Sequence, residues 1–214
     1  VLHDPQGLIN LMGGKDNYIK KMDEIFTSKP SSDYSYYGFK IHEILEMELA
    51  GMGQYAHGNQ PIQHAIYLYN YAQQPWKTQE KVRYVMDNLY GSEADGYCGD
   101  EDNGQTSAWF VFSSLGFYPV APVTGQYVIG SPLFEEVTIE LSNGKELKIN
   151  AKNNSISNVY IKNFQFNQSE SNNNWIDHNN LKAGGVIDFE MSDTPNLNWG
   201  ADKNSVPYSM SKDE

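Results

Sequence analysis

Phe117-Tyr118-Pro119-Val120-Ala121-Pro122-Val123-Thr124-Gly125-Gln126-Tyr127-Val128-Ile129 carries the chain from one periodicity into another. Upstream of it, apolar residues recur in steps of three and four: Leu8, Leu11 and Met12, then Ile41, Ile44, Leu45 and Leu49, then Val82, Val85, Met86 and Leu89. That spacing lays one apolar stripe along each helix. Beyond Pro119 and Pro122 the apolar residues alternate, in Tyr127-Val128-Ile129, in Val137, Ile139 and Leu141, and in Leu147 and Ile149, with Ser142-Asn143-Gly144 where a hairpin turn belongs. Residues 158–167 and 186–191 continue the strand pattern, and the Ser/Asn-rich stretch 168–174 reads as an exposed loop. The fold class expected is α+β, with a helical region over 1–120 and a β-rich region over 121–214.

The chain has 214 residues, enough for one large or two small domains, and a body of that size buries roughly 70% of its unfolded surface. Asp and Glu outnumber Lys and Arg by 27 to 15, and Arg83 is the sole arginine. Phosphate-backbone binding needs a clustered basic face, so nucleic acid is a poor partner. Cys98 is the sole cysteine and excludes both an intrachain disulfide and a paired-cysteine zinc site. No apolar run approaches the roughly 20 residues a membrane span needs. The chain starts at Val1-Leu2-His3-Asp4-Pro5 with no initiator Met or basic leader, so a longer parent is expected.

Helices are expected over 5–13 and 15–27, then 38–50, 62–73, 78–90 and 104–116. Pro61 opens one, Gln74-Pro75 stops it, Thr78 caps the next, Gly91 ends it, and Asp102 or Asn103 caps the last. Short connections make neighbouring helices antiparallel. The helices starting near Pro61 and Asn103 are two apart, so their N-termini share one end of the bundle. Asn59-Gln60 and Asp100-Glu101-Asp102 should therefore meet at a common rim.

Gly99-Asp100-Glu101-Asp102-Asn103-Gly104-Gln105 sets three consecutive acids in a glycine-flanked loop. A helix cap accounts for one of them, but three adjacent anions imply a compensating cation or a proton-transfer task. EF-hand calcium spacing is absent. Gly53-Gln54-Tyr55-Ala56-His57-Gly58-Asn59-Gln60-Pro61-Ile62-Gln63-His64 offers the amide oxygens of Asn59 and Gln60, which suit calcium and sugar hydroxyls alike. His57 and His64 lack the intervening Glu of the zinc helix. On 38–50, Glu46 follows His42 by one turn and shares its face, whereas Glu43 points aside by about 100°. A solvated polar face is the plain reading of that trio. Among the aromatics, Tyr55 and Trp76, placed on loops, are the candidate platforms for a sugar ring.

Read together, these segments resemble glycoside hydrolase family 92, the calcium-dependent α-mannosidases. The resemblance rests on Val1-Leu2-His3-Asp4 with Gly7-Leu8-Ile9-Asn10-Leu11-Met12-Gly13-Gly14, on Gly53 to Pro61, and on Tyr67-Leu68-Tyr69-Asn70-Tyr71 with Gln74-Pro75-Trp76-Lys77-Thr78-Gln79. It extends through Gly99 to Gln105 with Ser107-Ala108-Trp109, then Tyr127 to Pro132, and Asn196-Leu197-Asn198-Trp199-Gly200. It implies that this chain is the C-terminal part of a longer enzyme: 1–120 would be the closing helices of an (α/α)6 barrel, and 121–214 antiparallel strands that join a β-sandwich.

The implied reaction is hydrolysis of α-mannosidic bonds, α-1,2 foremost, with inversion. That chemistry needs a protonated acid and a carboxylate base roughly 6.5–9.5 Å apart. Asp102 and Asp100 match the family's base positions. Asn59, Gln60 and Glu46 fall in the region assigned to Ca2+, and Gln60 stands where many relatives carry Glu. His42-Glu43 resembles the pair that contacts the leaving sugar. The family's general acid lies upstream of Val1, so the chain alone should be inactive and should need the missing N-terminal portion. Mannose-containing glycans as substrates imply an extracellular or periplasmic setting in a bacterium. The rival reading is a calcium-dependent carbohydrate-binding module that retains sugars without hydrolysing them; a scaffold of helices and strands would leave the acidic loop unexplained.

Overall fold

The computed structural model describes residues 2–30 and 33–212; Val1, at the head of one of the quoted motifs, lies outside the described residues. Helix α1 (Pro5–Leu11) and α2 (Lys15–Thr27) are followed by α3 (His42–Ala50), a 3-10 helix (Gln60–Asn70), α4 (Pro75–Asn88) and α5 (Gln105–Ser114). The chain then turns to strands: β1 (Phe117–Tyr118), β2 (Gln126–Ile129), β3 (Glu136–Glu140), β4 (Glu146–Lys152), β5 (Tyr160–Phe166), β6 (Ser169–Glu170) and β7 (Trp175–Asp177). A short α6 (His178–Ala183) precedes the last strand, β8 (Gly185–Ser192). The architecture is α+β, and the change of element type falls between Ser114 and Phe117.

Three helices differ from the expected limits, and α3 begins at His42 rather than 38. Helix α4 begins at Pro75 rather than 78, because a proline at the first helical position lacks only an N–H that has no helical partner there. Thr78 is therefore inside the helix, and its hydroxyl donates to Ile66 O at 3.0 Å instead of capping. The 60–70 segment winds as a 3-10 helix, longer than such turns usually run. Gln63 and all of Ala65 to Asn70 are buried, so packing from every side sets its geometry.

The strands form two sheets. One has order β1-β2-β7 and is antiparallel; the other has order β3-β4-β8-β5-β6. In the second, β8 runs parallel to β4, with Leu147 opposite Gly185 and Lys152 opposite Glu190, so the sheet is mixed rather than antiparallel as expected. The long crossover through β5, β6, β7 and α6 delivers β8 in that direction, and a crossover of this length is what a parallel pair requires. Ile187, Phe189 and Met191 alternate onto the face of β8 shared with Leu147, Ile149, Ile161 and Phe164.

The stretch 168–174 is not wholly an exposed loop. Ser169 and Glu170 pair with β5, and Asn174 is buried, donating from Nδ2 to Asn70 O at 3.1 Å and Gly200 O at 2.8 Å. Asn70 reciprocates, donating to Ile129 O and Asn174 O. Helix α4 completes the joint. Gln79 accepts from Ile161 N, and Arg83 donates to Pro132 O, Asn154 Oδ1 and Ser155 O.

The first helix is tied to the C-terminal tail. The Asp4 carboxylate accepts from Gly7 N at the helix start and from Ser209 Oγ, Ser211 N and Ser211 Oγ. These donors, the Ser211 backbone N–H foremost, hold its carboxyl well below the usual carboxylate range.

Candidate functional site

The loops before the 3-10 helix and before α5 meet at glycine. A β-carbon on Gly58 would lie 2.5 Å from Cys98 O, and one on Gly99 would lie 2.5 Å from Gly58 Cα. Real side chains do not approach so closely, so the contact requires glycine on both loops. Polar atoms lock it. Gln60 Nε2 donates to Asp100 O at 2.6 Å and to Thr106 Oγ1 at 3.2 Å, and Thr106 Oγ1 donates to Asp100 O at 2.9 Å. The rim expected from helix directions is therefore formed at Gln60 and Asp100. The same β-carbons would sit 2.8 and 2.9 Å from Glu46 Oε2, so the α3 carboxylate rests on the glycine junction.

Within the acidic loop the three acids separate by role. Glu101 fastens the loop: Oε2 accepts from Gly104 N at 2.8 Å and Oε1 from Ser107 Oγ at 2.7 Å. Those two bonds, the Ser107 hydroxyl foremost, lower its carboxyl below the ordinary value. Gly104 holds the N-cap position of α5, which carries no side-chain cap bond, so neither Asp102 nor Asn103 caps the helix as expected, and Glu101 braces the turn that leads into it. Asp102, Asn103 and Gly104 take successive positive φ values of 50°, 56° and 95°, a sharp turn that only asparagine, aspartate and glycine tolerate readily. Asp100 and Asp102 are exposed, and among the described residues their carboxylates accept no hydrogen bond. They are left to meet water or a ligand.

On α3, His42 Nδ1 lies 3.0 Å from Glu46 Oε1 and Nε2 lies 3.4 Å from Glu43 Oε1. Glu43 thus bends back to the ring that its helical position turns it away from. The hydrogen bond to Glu46, with the charges of Glu43 and Asp100 behind it, raises the His42 pKa. Glu46, Leu49, Tyr90, Tyr97, Cys98 and Asp100 line an open cleft of about 610 Å³. His42, Glu43, Glu46, Gln60 and Asp100 therefore gather around one region, with exposed Asn59 and Asp102 on its loops.

Two of the expected sugar contacts lie elsewhere. Tyr55 is fully buried: its ring packs on Phe26 and its hydroxyl reaches His57 Nδ1, so it presents no face to a ligand. Trp76 sits on the first turn of α4, not on a loop, and the cleft touches that 14-residue helix only at its far end, Asn88, about 20 Å away. The ring of Tyr55 serves packing, which sequence spacing does not separate from recognition. Conversely, Tyr90, Tyr97 and Cys98 line the cleft without having stood out. Tyr90 and Tyr97 close a small bridge across residues 91–96, a pairing that no periodicity announces.

Cation binding can be tested on these atoms. No three His, Cys, Asp or Glu side chains among the described residues converge in a metal-holding group. The donors available are the Glu46 and Asp100 carboxylates and the amide oxygens of Asn59 and Gln60. Because the Gln60 amide nitrogen is engaged by Asp100 O and Thr106, its Oε1 remains an acceptor. An all-oxygen set of this kind fits a hard cation of calcium type and not zinc.

Comparison with known proteins follows the same lines. The chain is similar over its residues 1–193 to the glycosyl hydrolase family 92 catalytic domain. A family 92 inverting mannosidase from Bacteroides thetaiotaomicron superposes with a TM-score of 0.84 and 52% identity over 98% of this chain and 28% of that one. A second family 92 α-mannosidase from the same organism gives a TM-score of 0.87 and 37% identity, covering 100% of this chain and 26% of that one. A curated relative from Arthroderma benhamiae, described as an uncharacterized secreted glycosidase, is 28% identical over 98% of this chain and 24% of its own length. The chain thus spans about a quarter of the length of these relatives. With the family's catalytic-domain pattern running through nine-tenths of its length, the chain belongs to glycosyl hydrolase family 92.

Proposed function

We propose that this chain is the base-bearing and cation-binding part of an exo-acting α-mannosidase, which hydrolyses α-mannosidic bonds, α-1,2 foremost, with inversion and with calcium. The observation that carries the reading is the Gln60–Asp100 hydrogen bond, which sets the acidic loop beside the amide loop and Glu46. Pinned at Asp100 O on one side and at Glu101 on the other, the loop presents Asp100 and Asp102 as two carboxylates that accept no hydrogen bond among the described residues.

In this reading Asp102 takes a proton from a water molecule as the water oxygen bonds to the anomeric carbon. The glycosidic C–O bond breaks on the opposite face, and the leaving oxygen is protonated by an acid from the N-terminal portion of the enzyme. Asp100 orients the water or shares the proton. Asn59, Gln60 and Glu46 would hold Ca2+, which supplies charge and a template for sugar hydroxyls when bound. His42 and Glu43 border the leaving sugar. The helices would close an (α/α)6 barrel and the strands would join a β-sandwich built largely by the remaining chain. A chain without the acid is inactive by itself, and its glycan substrates place the enzyme outside the cytoplasm.

The test is mannose release by the complete enzyme and its Asp102→Asn variant. A loss of about 10²- to 10⁴-fold in turnover is expected. Near-normal turnover would end the assignment of Asp102 as base.

A further inference from the structure

Behind the cleft runs a chain of hydrogen bonds that the proposed mechanism leaves unused. Tyr55 Oη lies 2.7 Å from His57 Nδ1, and His57 Nε2 lies 2.9 Å from Tyr90 Oη. Tyr55 and His57 are buried, whereas Tyr90 is half-buried and stands in the cleft wall. The His57 ring meets Trp109 edge-on with centroids 4.3 Å apart, and Trp109 in turn stacks at 7° on Tyr90. Aromatic rings enclose the imidazole, and neither of its hydrogen-bond partners is a carboxylate. A ring in such surroundings is neutral and carries one N–H.

Only one of the two phenols can then donate to it. Besides Nδ1 at 2.7 Å, the Tyr55 hydroxyl reaches only Gln63 O, 3.5 Å away and already accepting from Trp109 Nε1, so among the described residues Tyr55 donates to Nδ1 and Nε2–H donates to Tyr90. The Tyr90 oxygen accepts, so its own hydrogen is left over, and among the described residues it has no second partner. Its electrostatic neighbours are Cys98 and Tyr97, both in the cleft wall, and behind them Tyr118 and Tyr67.

We infer that Tyr90 is a substrate-orienting donor, offering its hydroxyl hydrogen to a hydroxyl or glycosidic oxygen of a glycan in the cleft, and that Tyr55 and His57 are positioning residues that turn it there. The inference rests on the mannosidase reading above and assigns a sugar contact within it. Its particular consequence is that a buried residue out of reach of any substrate should govern substrate affinity. With Tyr55 changed to Phe, Nδ1 loses its donor; the ring proton can move to Nδ1, and Tyr90 then donates inward to Nε2 and is withdrawn from the cleft.

The experiment uses the complete enzyme with a mannoside substrate. Tyr90→Phe should raise KM by about 2- to 10-fold with kcat little changed, the size of one neutral hydrogen bond made equally in ground and transition states. Tyr55→Phe should raise KM by a similar factor, and the double variant should be no worse than either, because both remove one and the same bond. A merely structural Tyr55 would lower the melting temperature and leave KM alone. An unchanged KM in Tyr90→Phe, or in a folded Tyr55→Phe, overturns the inference; if Tyr55→Phe does not fold, Tyr90→Phe decides by itself. The wild-type enzyme in the same assay separates the two levels: no mannose release there overturns the mannosidase reading, whereas release with an unaltered KM in Tyr90→Phe overturns only the role of Tyr90.

Discussion

The strands turn their own apolar residues inward and leave exposed ones, Val123, Phe134, Ile156 and Leu197, only in the connections and tail, whereas the helices carry exposed apolar residues on their own faces. On β8 every second residue is buried, and Phe164, Phe189 and Trp199 close one aromatic cluster. On the helices, Leu11 of α1 is 87% exposed, Leu49 of α3 is 86% exposed and Val111 of α5 is 55% exposed. Single exposed apolar residues are ordinary, but on α1, α3 and α5 they recur on helical faces that this chain leaves uncovered. The contrast separates two tasks. The sheets and the α4 joint supply rigidity, while the helical loops supply the cleft.

If that contrast is sound, the largest stability losses belong to the sheet. Phe189, 1% exposed and packed on Phe164, should cost about 3–5 kcal/mol as Phe189→Ala in denaturant unfolding of this chain. A loss under about 1 kcal/mol would show that the sheet core is looser than its burial indicates. Arg83→Met comes next. It preserves the buried stem but strands Pro132 O, Asn154 Oδ1 and Ser155 O, and should cost about 2–3 kcal/mol. If the two regions are coupled through α4, both should still melt in one transition but at lower temperature; two separate transitions in the wild-type chain would contradict the joint.

Legibility in the sequence followed the same division. Helices α1 and α2 were readable from period and punctuation, as were strands β3 and β4 around Ser142-Asn143-Gly144, because local residues determine them. The parallel pairing of β4 with β8 was not, since partner choice depends on contacts about 40 residues apart that no local period records. At the cleft, helix direction and loop composition sufficed to bring Gln60 to Asp100. The division of labour among Asp100, Glu101 and Asp102 needed coordinates, because which carboxylate braces the turn into α5 depends on the reach of Ser107 and the turn at Asp102. Tyr55 illustrates the opposite failure: an aromatic flanked by Gln54 and Ala56 looked like an exposed platform, yet backbone turns at Gly51 and Gly53 fold it into the core.

The smallest effect is the most discriminating for the contrast itself. Leu11→Ser removes an apolar side chain that water already reaches, so in this chain by itself the change should stay within about 0.5 kcal/mol. In the complete enzyme the same substitution should cost about 1.5–3 kcal/mol if the N-terminal portion covers the α1 face, the amount expected for an aliphatic side chain moved from water into a packed contact. Paired denaturation curves on chain and enzyme read that difference directly. Equal and negligible losses in both would mean that Leu11 stays in water after assembly, and that the open helical faces are not where the rest of the molecule docks.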